Sequence, residues 1–122
     1  MKRIIIGVAG VLWCAGAMAD GNQLLAQCQE AVRLADGGEM RDVKSFYEVG
    51  FCYGTLHGTL TTLDAVGRQM PQMQVVCRPE GVIPHIQLAR IVVKYLKEHP
   101  EDLHAHEGVG AMIAMTNAFP CK

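Results

Sequence analysis

The chain has 122 residues, of which 50% are hydrophobic and 19% are charged, and its formal net charge at pH 7 is −1. This length suits one small domain. The near-neutral charge, the lack of a basic stripe and an aromatic content of only 6% argue against a nucleic-acid-binding protein.

The first nineteen residues have the pattern of a secretory signal peptide. Lys2 and Arg3 supply a positive end, residues 4–13 form an apolar run, and Ala17 and Ala19 give a small-x-small cleavage site. We therefore expect a signal peptide over residues 1–19, cleavage after Ala19, and one domain over residues 20–122 in the periplasm. The apolar run is shorter than the about 20 residues that a transmembrane helix needs, and no later stretch comes near that length. We therefore expect no membrane association after cleavage.

One alternative to this interpretation is a lipid anchor on Cys14. The bulky Trp13 directly before it fits lipoprotein processing poorly, so we favour plain export. Loss of the signal would leave nine basic and twelve acidic residues, a net charge of −3. The expected mature protein is therefore mildly acidic.

Four cysteines remain in the expected mature chain: Cys28, Cys52, Cys77 and Cys121. An even number in an exported protein favours disulfides. The first two and the last two are each centred on a predicted turn between helices. Residues equidistant from such a turn lie level in an antiparallel hairpin, at the short Cα separation that a disulfide needs. This ranks Cys28–Cys52 and Cys77–Cys121 first among the three connectivities that four cysteines allow.

Apolar residues recur at helical spacing in four segments. They predict an all-α fold, a small helical bundle of about four main helices in two disulfide-stapled hairpins. The first helix should span residues 21–35 and end at a Gly-Gly pair. The second should begin at the N-cap Asp42 and end near Val66, before Gly67.

The second hairpin follows from the same start and stop signals. The third helix should open with Pro84 in its first position and end at His99. The fourth should carry Glu101 and Asp102 in its first turn, where negative charge suits the helix dipole, and end at Pro120.

Three glycines, Gly50, Gly54 and Gly58, form a ridge at four-residue spacing inside the second helix. Each interior glycine costs roughly 0.8–1 kcal/mol relative to alanine. Close packing of another helix would offset this cost, and that helix can belong to the same chain or to a second subunit. The competing interpretation is a break or kink in the helix. We favour close packing.

The longest irregular stretch is predicted at residues 67–83, where glycines, prolines, methionines and glutamines are scattered without helical spacing. It can be a plain connector held by Cys77. It can also be a recognition loop, because methionine adapts well to binding surfaces.

The sequence offers no convincing catalytic or metal site. Cys52 and His57 are five residues apart and do not share a helix face, so a thiol nucleophile is disfavoured. His99, His104, His106 and Glu107 lack the four-residue histidine spacing of helical zinc sites. We therefore expect no enzyme, no metal and no cofactor.

Several short motifs resemble those of one protein family. They begin with Phe51-Cys52-Tyr53-Gly54 and Gly58 and continue with Cys77-Arg78-Pro79-Glu80-Gly81-Val82. Gln87, Val92-Val93-Lys94-Tyr95-Leu96-Lys97-Glu98-His99-Pro100 and Ala118-Phe119-Pro120-Cys121 follow. In order and spacing these motifs resemble the Rap/Tai family of type VI secretion amidase immunity proteins. One departure is that Tyr53-Gly54 directly follows Cys52, where the family pattern has Cys-x-Gly-Tyr.

The resemblance implies a small periplasmic helical protein, often a homodimer, that binds a cognate peptidoglycan amidase toxin and plugs its active-site cleft. The shared motifs do not include the residues that contact a toxin. We predict two partner-binding surfaces, one in the long irregular stretch and one in the turn at the tip of the second hairpin. The first comprises Arg68, Gln69, Met70, Gln72 and Met73, and the second comprises His99, Glu101, Asp102 and His104.

Two other functions remain open at the level of sequence. A periplasmic stress or chaperone-like protein can use the same stapled scaffold, and its histidines would respond to acid. A carrier of apolar ligands in the bundle core is supported only by composition. Each surface also has a plain alternative, a solvated loop or a capped helix start.

Overall fold

The computed structural model describes residues 19–122, so the predicted signal peptide and Cys14 lie outside the described residues. Four α-helices make up the described chain: α1 (Gly21–Ala35), α2 (Val43–Gln69), α3 (His85–Glu98) and α4 (Glu107–Ala118). Short 3-10 helices at Pro71–Met73 and Pro100–His104 interrupt the connections. The described region contains no strand beyond one isolated bridge, so the predicted all-α bundle is confirmed.

Both predicted disulfides are present. Cys28 of α1 is bonded to Cys52 of α2, with the Cα atoms 5.1 Å apart. Cys77, which precedes α3, is bonded to Cys121, which follows α4, at a Cα separation of 4.9 Å. Each bond therefore joins the two arms of one helical hairpin, as the symmetry about the turns predicted.

The core lies where α1 meets α2 and α3, with α4 closing the bundle. Its fully buried side chains come from all four helices: Leu24, Cys28, Cys52, Leu56, Leu88, Val92, Leu96 and Met115. Small residues of α4, such as Ala111 and Ala114, let that helix approach closely.

The first hairpin follows the sequence signals closely. The Asp20 carboxylate accepts a hydrogen bond from the N–H of Gln23 at 3.0 Å and caps α1. Asp42 caps α2 in the same way, with Ser45 N–H as donor at 2.8 Å. The turn after α1 passes through Gly37 at φ +94°, a conformation that residues with a Cβ rarely adopt.

The predicted end of the second helix at Val66 is wrong, because α2 continues through Gly67 to Gln69. Gly67 is buried under Gln74, and a Cβ at this position would lie 3.0 Å from the Gln74 side chain. Gly67 is therefore a contact point for the returning chain rather than a helix breaker. The predicted irregular stretch correspondingly starts at Met70 and contains one 3-10 turn.

The predicted starts of the third and fourth helices also need correction. Pro84 is the N-cap of α3 and not its first helical residue. Glu101 and Asp102 belong to a 3-10 turn, and α4 begins only at Glu107. The extended backbone of Ala105 separates the two segments. Tertiary contacts cause this break, because the Gly21 N–H donates to the Ala105 carbonyl at 2.9 Å.

In the described part of the chain, no helix is both long enough and apolar enough to cross a membrane.

Candidate functional site

The first predicted partner-binding surface lies at the end of α2. Arg68 and Gln69 form the last residues of the helix, Met70 caps it, and the following 3-10 turn carries Gln72 and Met73. All five side chains are exposed, with Met70 at 39% and Met73 at 53%. Two methionines on a short protruding turn offer adaptable apolar contact to a partner.

The second predicted surface is only partly available. Glu101 and His104 are exposed, whereas His99 and Asp102 are half-buried and engaged within the fold. The His99 ring stacks on Tyr95 at 4.1 Å between centroids. The Tyr95 hydroxyl donates to the Asp102 carboxylate at 2.6 Å. This hydrogen bond is the main cause that raises the pKa of Tyr95 to about 12.

A third exposed feature is the outer face of α2, which sequence reasoning noticed only through its glycines. Val43, Phe46 and Tyr47 are exposed by 85%, 70% and 58%. Together with the glycines they line a groove of about 690 Å³, bounded by Val43, Phe46, Tyr47, Gly50, Phe51, Gly54 and Thr55. Isolated exposed apolar residues are ordinary, whereas a contiguous exposed apolar patch is a candidate interaction surface.

Gly50 and Gly54 of the glycine ridge line this groove, and none of the three ridge glycines packs against another helix of the described chain. A Cβ placed on Gly50, Gly54 or Gly58 would meet no atom within 4 Å. The helix also runs continuously from Val43 to Gln69, so the predicted alternative of a break at the glycines is wrong. Close packing against another helix of the described chain is wrong as well, and of the two predicted partners a second subunit stays a prediction.

A buried carboxylate fixes the turn that leads into this face. Glu30 is 5% exposed and accepts hydrogen bonds from Arg33, Arg41 and Ser45 at 2.6–2.7 Å. These bonds, with Arg33 the largest contributor and Ser45 next, lower the pKa of Glu30 to about 2. Arg33 also donates to the carbonyl of Glu39 at 2.8 Å, which ties the turn to α1.

The geometry removes the thiol nucleophile. Cys52 is fully buried and bonded to Cys28, so no thiolate forms beside His57. The histidines of the disfavoured zinc set have other roles. His99 Nδ1 lies 2.9 Å from the Tyr95 carbonyl, and His106 Nδ1 accepts from the Gly108 N–H at 3.3 Å. Within residues 19–122, no three His, Cys, Asp or Glu side chains cluster as metal ligands.

The geometry is that of a stapled helical body with exposed contact surfaces, and comparison with known families agrees with it. The family of Rap1a immunity proteins matches residues 20–121. The chain belongs to the Rap1a immunity protein family. The resemblance to the Rap/Tai proteins is thereby confirmed, and the molecule is an immunity protein for a type VI effector, which implies a cognate toxin as its partner. No curated protein and no solved structure matches the chain at a significant level.

Sequence reasoning about this immunity protein missed the exposed aromatics of α2. Phe46 and Tyr47 lie at helical spacing with other apolar residues on one broad face of the second helix, and that pattern predicts core positions. The sequence does contain one indication of this face. The large residues Val43, Phe46 and Tyr47 precede the three ridge glycines on the same helix. Nothing in one chain's sequence says which side of such a helix meets the core.

Proposed function

We propose that this immunity protein binds a peptidoglycan amidase delivered by a type VI secretion system and inhibits it by occluding its active-site cleft. The observation that carries the proposal is the family match over residues 20–121. The disulfide-stapled body supports it, because a rigid inhibitor loses little conformational entropy on binding. Inhibition by occlusion needs no chemistry from the inhibitor itself.

We place the action in the periplasm, where both disulfides persist and where peptidoglycan lies. Periplasmic expression of the cognate amidase should kill cells, and co-expression of this protein should restore growth. The chain lacking residues 1–19 is the matched control and should fail to protect. If this protein protects from the cytoplasm, or against an effector that does not cleave peptidoglycan amides, the proposal is wrong.

Toxin contact is assigned first to the surface around Met70 and Met73, because all its side chains point into solvent. The surface around His99, Glu101, Asp102 and His104 is a second contact, presented mainly through Glu101 and His104. Double substitution Met70→Ala/Met73→Ala should weaken toxin binding by about tenfold or more, as loss of a buried apolar anchor does. Isothermal titration calorimetry with the purified toxin measures this effect.

The melting temperature of this double variant should stay within error of the wild type, since both side chains are exposed. Val109→Ala is the matched control, because Val109 is 42% exposed and lies on α4 outside both surfaces. Equal toxin affinity for the wild type and the Met70/Met73 variant would remove this surface from the binding site.

The same proposal includes a homodimer formed through the outer face of α2. A two-fold axis between Gly50 and Phe51 would place two α2 helices antiparallel, so that each large residue meets a small one. The resulting pairs are Tyr47 with Gly54, Val43 with Gly58, Phe46 with Thr55, and Phe51 with Gly50. A two-fold interface must be self-complementary in this way. The glycines then repay their cost by admitting the partner's side chains.

A further inference from the structure

A second, more enclosed cavity lies between the C-terminal half of α2, the loop before α3 and the start of α3. We call it the α2–α3 cavity, and its volume is about 380 Å³. Five titratable side chains line it: His57, Asp64, Arg68, Arg78 and His85. It shares only Arg68 with the predicted partner-binding surfaces.

The α2–α3 cavity carries a surplus of positive charge. Arg78 pairs with Asp64, with Nε 2.7 Å from the carboxylate oxygen. Arg68 forms no ion pair with any residue from 19 to 122. Two guanidinium groups therefore face one carboxylate, in a chain whose described region is acidic overall. An unpaired arginine in a concave site favours an anionic ligand.

The remaining side chains give the α2–α3 cavity a fixed shape. His57 Nδ1 and His85 Nε2 lie 3.4 Å apart, and the Tyr53 ring stacks on His85 at 5.5 Å between centroids. Leu60 and Leu88, exposed by 6% and 1%, form an apolar floor. Arg78 follows Cys77, whose disulfide and whose N–H bond to the Phe119 carbonyl at 2.8 Å hold the loop.

We infer that the α2–α3 cavity is a binding site for a carboxylate group, held chiefly by the guanidinium of Arg68 with Arg78 and the two imidazoles around it. The planar guanidinium donates two parallel hydrogen bonds to a carboxylate, which a single ammonium cannot do. The apolar floor lowers the local dielectric and strengthens those bonds. The cavity has room for a whole aspartate or glutamate side chain of a partner, or for a small free carboxylate.

The test is an NMR titration of the mature protein with acetate, using acetamide as the neutral molecule of the same shape. Acetate should shift the amide resonances of residues 57, 68 and 85, and acetamide should not. Arg68→Gln should weaken acetate binding about fivefold or more, and Arg68→Lys should lose less because it keeps the charge. Asp64→Asn should tighten binding, because it removes the carboxylate that competes for the same donors.

Lys94→Gln is the matched control, because it removes one positive charge from an exposed site on α3 outside the cavity. Equal shifts with acetate and acetamide, or equal weakening by Lys94→Gln and Arg68→Gln, would overturn the inference. If circular dichroism shows that Asp64→Asn alters the fold, the test uses only Arg68→Gln and Arg68→Lys.

A second measurement identifies the source of the carboxylate. If saturating acetate weakens toxin binding by the wild type, and Arg68→Gln abolishes that competition, the cavity is assigned to an acidic side chain of the toxin. Arg68→Gln that weakens acetate binding but leaves toxin affinity unchanged assigns it to a free carboxylate. Neither result depends on whether the toxin is an amidase, so the carboxylate site is tested independently of the proposed function.

Discussion

Glu30 shows how one buried charge organises the first hairpin. Its carboxylate joins the end of α1 to the start of α2 through Arg33, Arg41 and Ser45. A buried carboxylate is tolerated only when its oxygens are hydrogen-bonded, and here both are. No sequence pattern distinguishes this glutamate among the twelve acidic residues, because the turn brings its hydrogen-bond partners to it.

The lowered pKa of Glu30 makes stability depend on pH. Because the folded pKa of about 2 lies below the ordinary 4.5, the contribution of this carboxylate is complete above about pH 5. It is lost as the pH falls toward 2. The urea midpoint of the wild type should therefore drop over this range, and Glu30→Gln should be less stable at pH 7 with a flatter profile.

Glu98→Gln provides the comparison for the pH experiment, because Glu98 is exposed at the end of α3. Its profile should follow that of the wild type. If Glu30→Gln and the wild type lose stability in parallel between pH 5 and 2, the stabilising role assigned to this carboxylate is wrong.

At the scale of the elements, the two disulfides close loops of different length in different surroundings. The sequence separations are 24 and 44 residues. The chain-entropy model assigns the shorter loop about 3.5 kcal/mol and the longer one about 4 kcal/mol. Burial favours a larger contribution from the first disulfide, because Cys28 and Cys52 are fully buried whereas Cys77 and Cys121 are exposed.

We expect burial, and not loop length, to decide which disulfide contributes more to the free energy of unfolding. Cys28→Ala/Cys52→Ala removes two sulfur atoms from the core and leaves a cavity, at about 1 kcal/mol or more beyond the entropic loss. This variant should lower the free energy of unfolding more than Cys77→Ala/Cys121→Ala does. Guanidinium unfolding without reductant measures both, and the reverse order would show that loop length outweighs packing here.

At the scale of the whole molecule, the outer face of α2 is apolar, and its glycines are exposed to solvent. Gly54→Leu tests whether a second copy covers it. Leucine favours helix by about 0.8 kcal/mol over glycine, so the variant should not unfold. Its side chain would occupy the space proposed for the partner's Tyr47. The dissociation constant of the dimer should therefore rise by about tenfold or more. Analytical ultracentrifugation over a concentration series measures this.

Thr62→Ala serves as the control for the dimer, since Thr62 is exposed on α2 but outside the groove. It should leave dimerisation unchanged. A wild-type protein that sediments as a monomer, with toxin binding abolished by Gly54→Leu, would assign the face to the toxin instead. Equal dimer affinity for Gly54→Leu and Thr62→Ala would exclude the face from the interface.

The sequence alone determined the helical class, the bounds of the first helix, the N-cap Asp42 of the second helix, and the disulfide pairing. These depend on local spacing, capping chemistry and symmetry about short turns, which a sequence records directly. The family resemblance also came from the sequence, because its motifs consist of cysteines, glycines and prolines with fixed spacing.

Only the tertiary structure decided which surfaces are free. Gly67 lies under Gln74, Asp102 is bound by Tyr95, and Phe46 faces solvent, although local pattern predicted a helix end, a helix start and a core position. Each of these outcomes depends on which segment returns to pack against the residue. Long-range packing of that kind leaves no periodic mark in a single sequence.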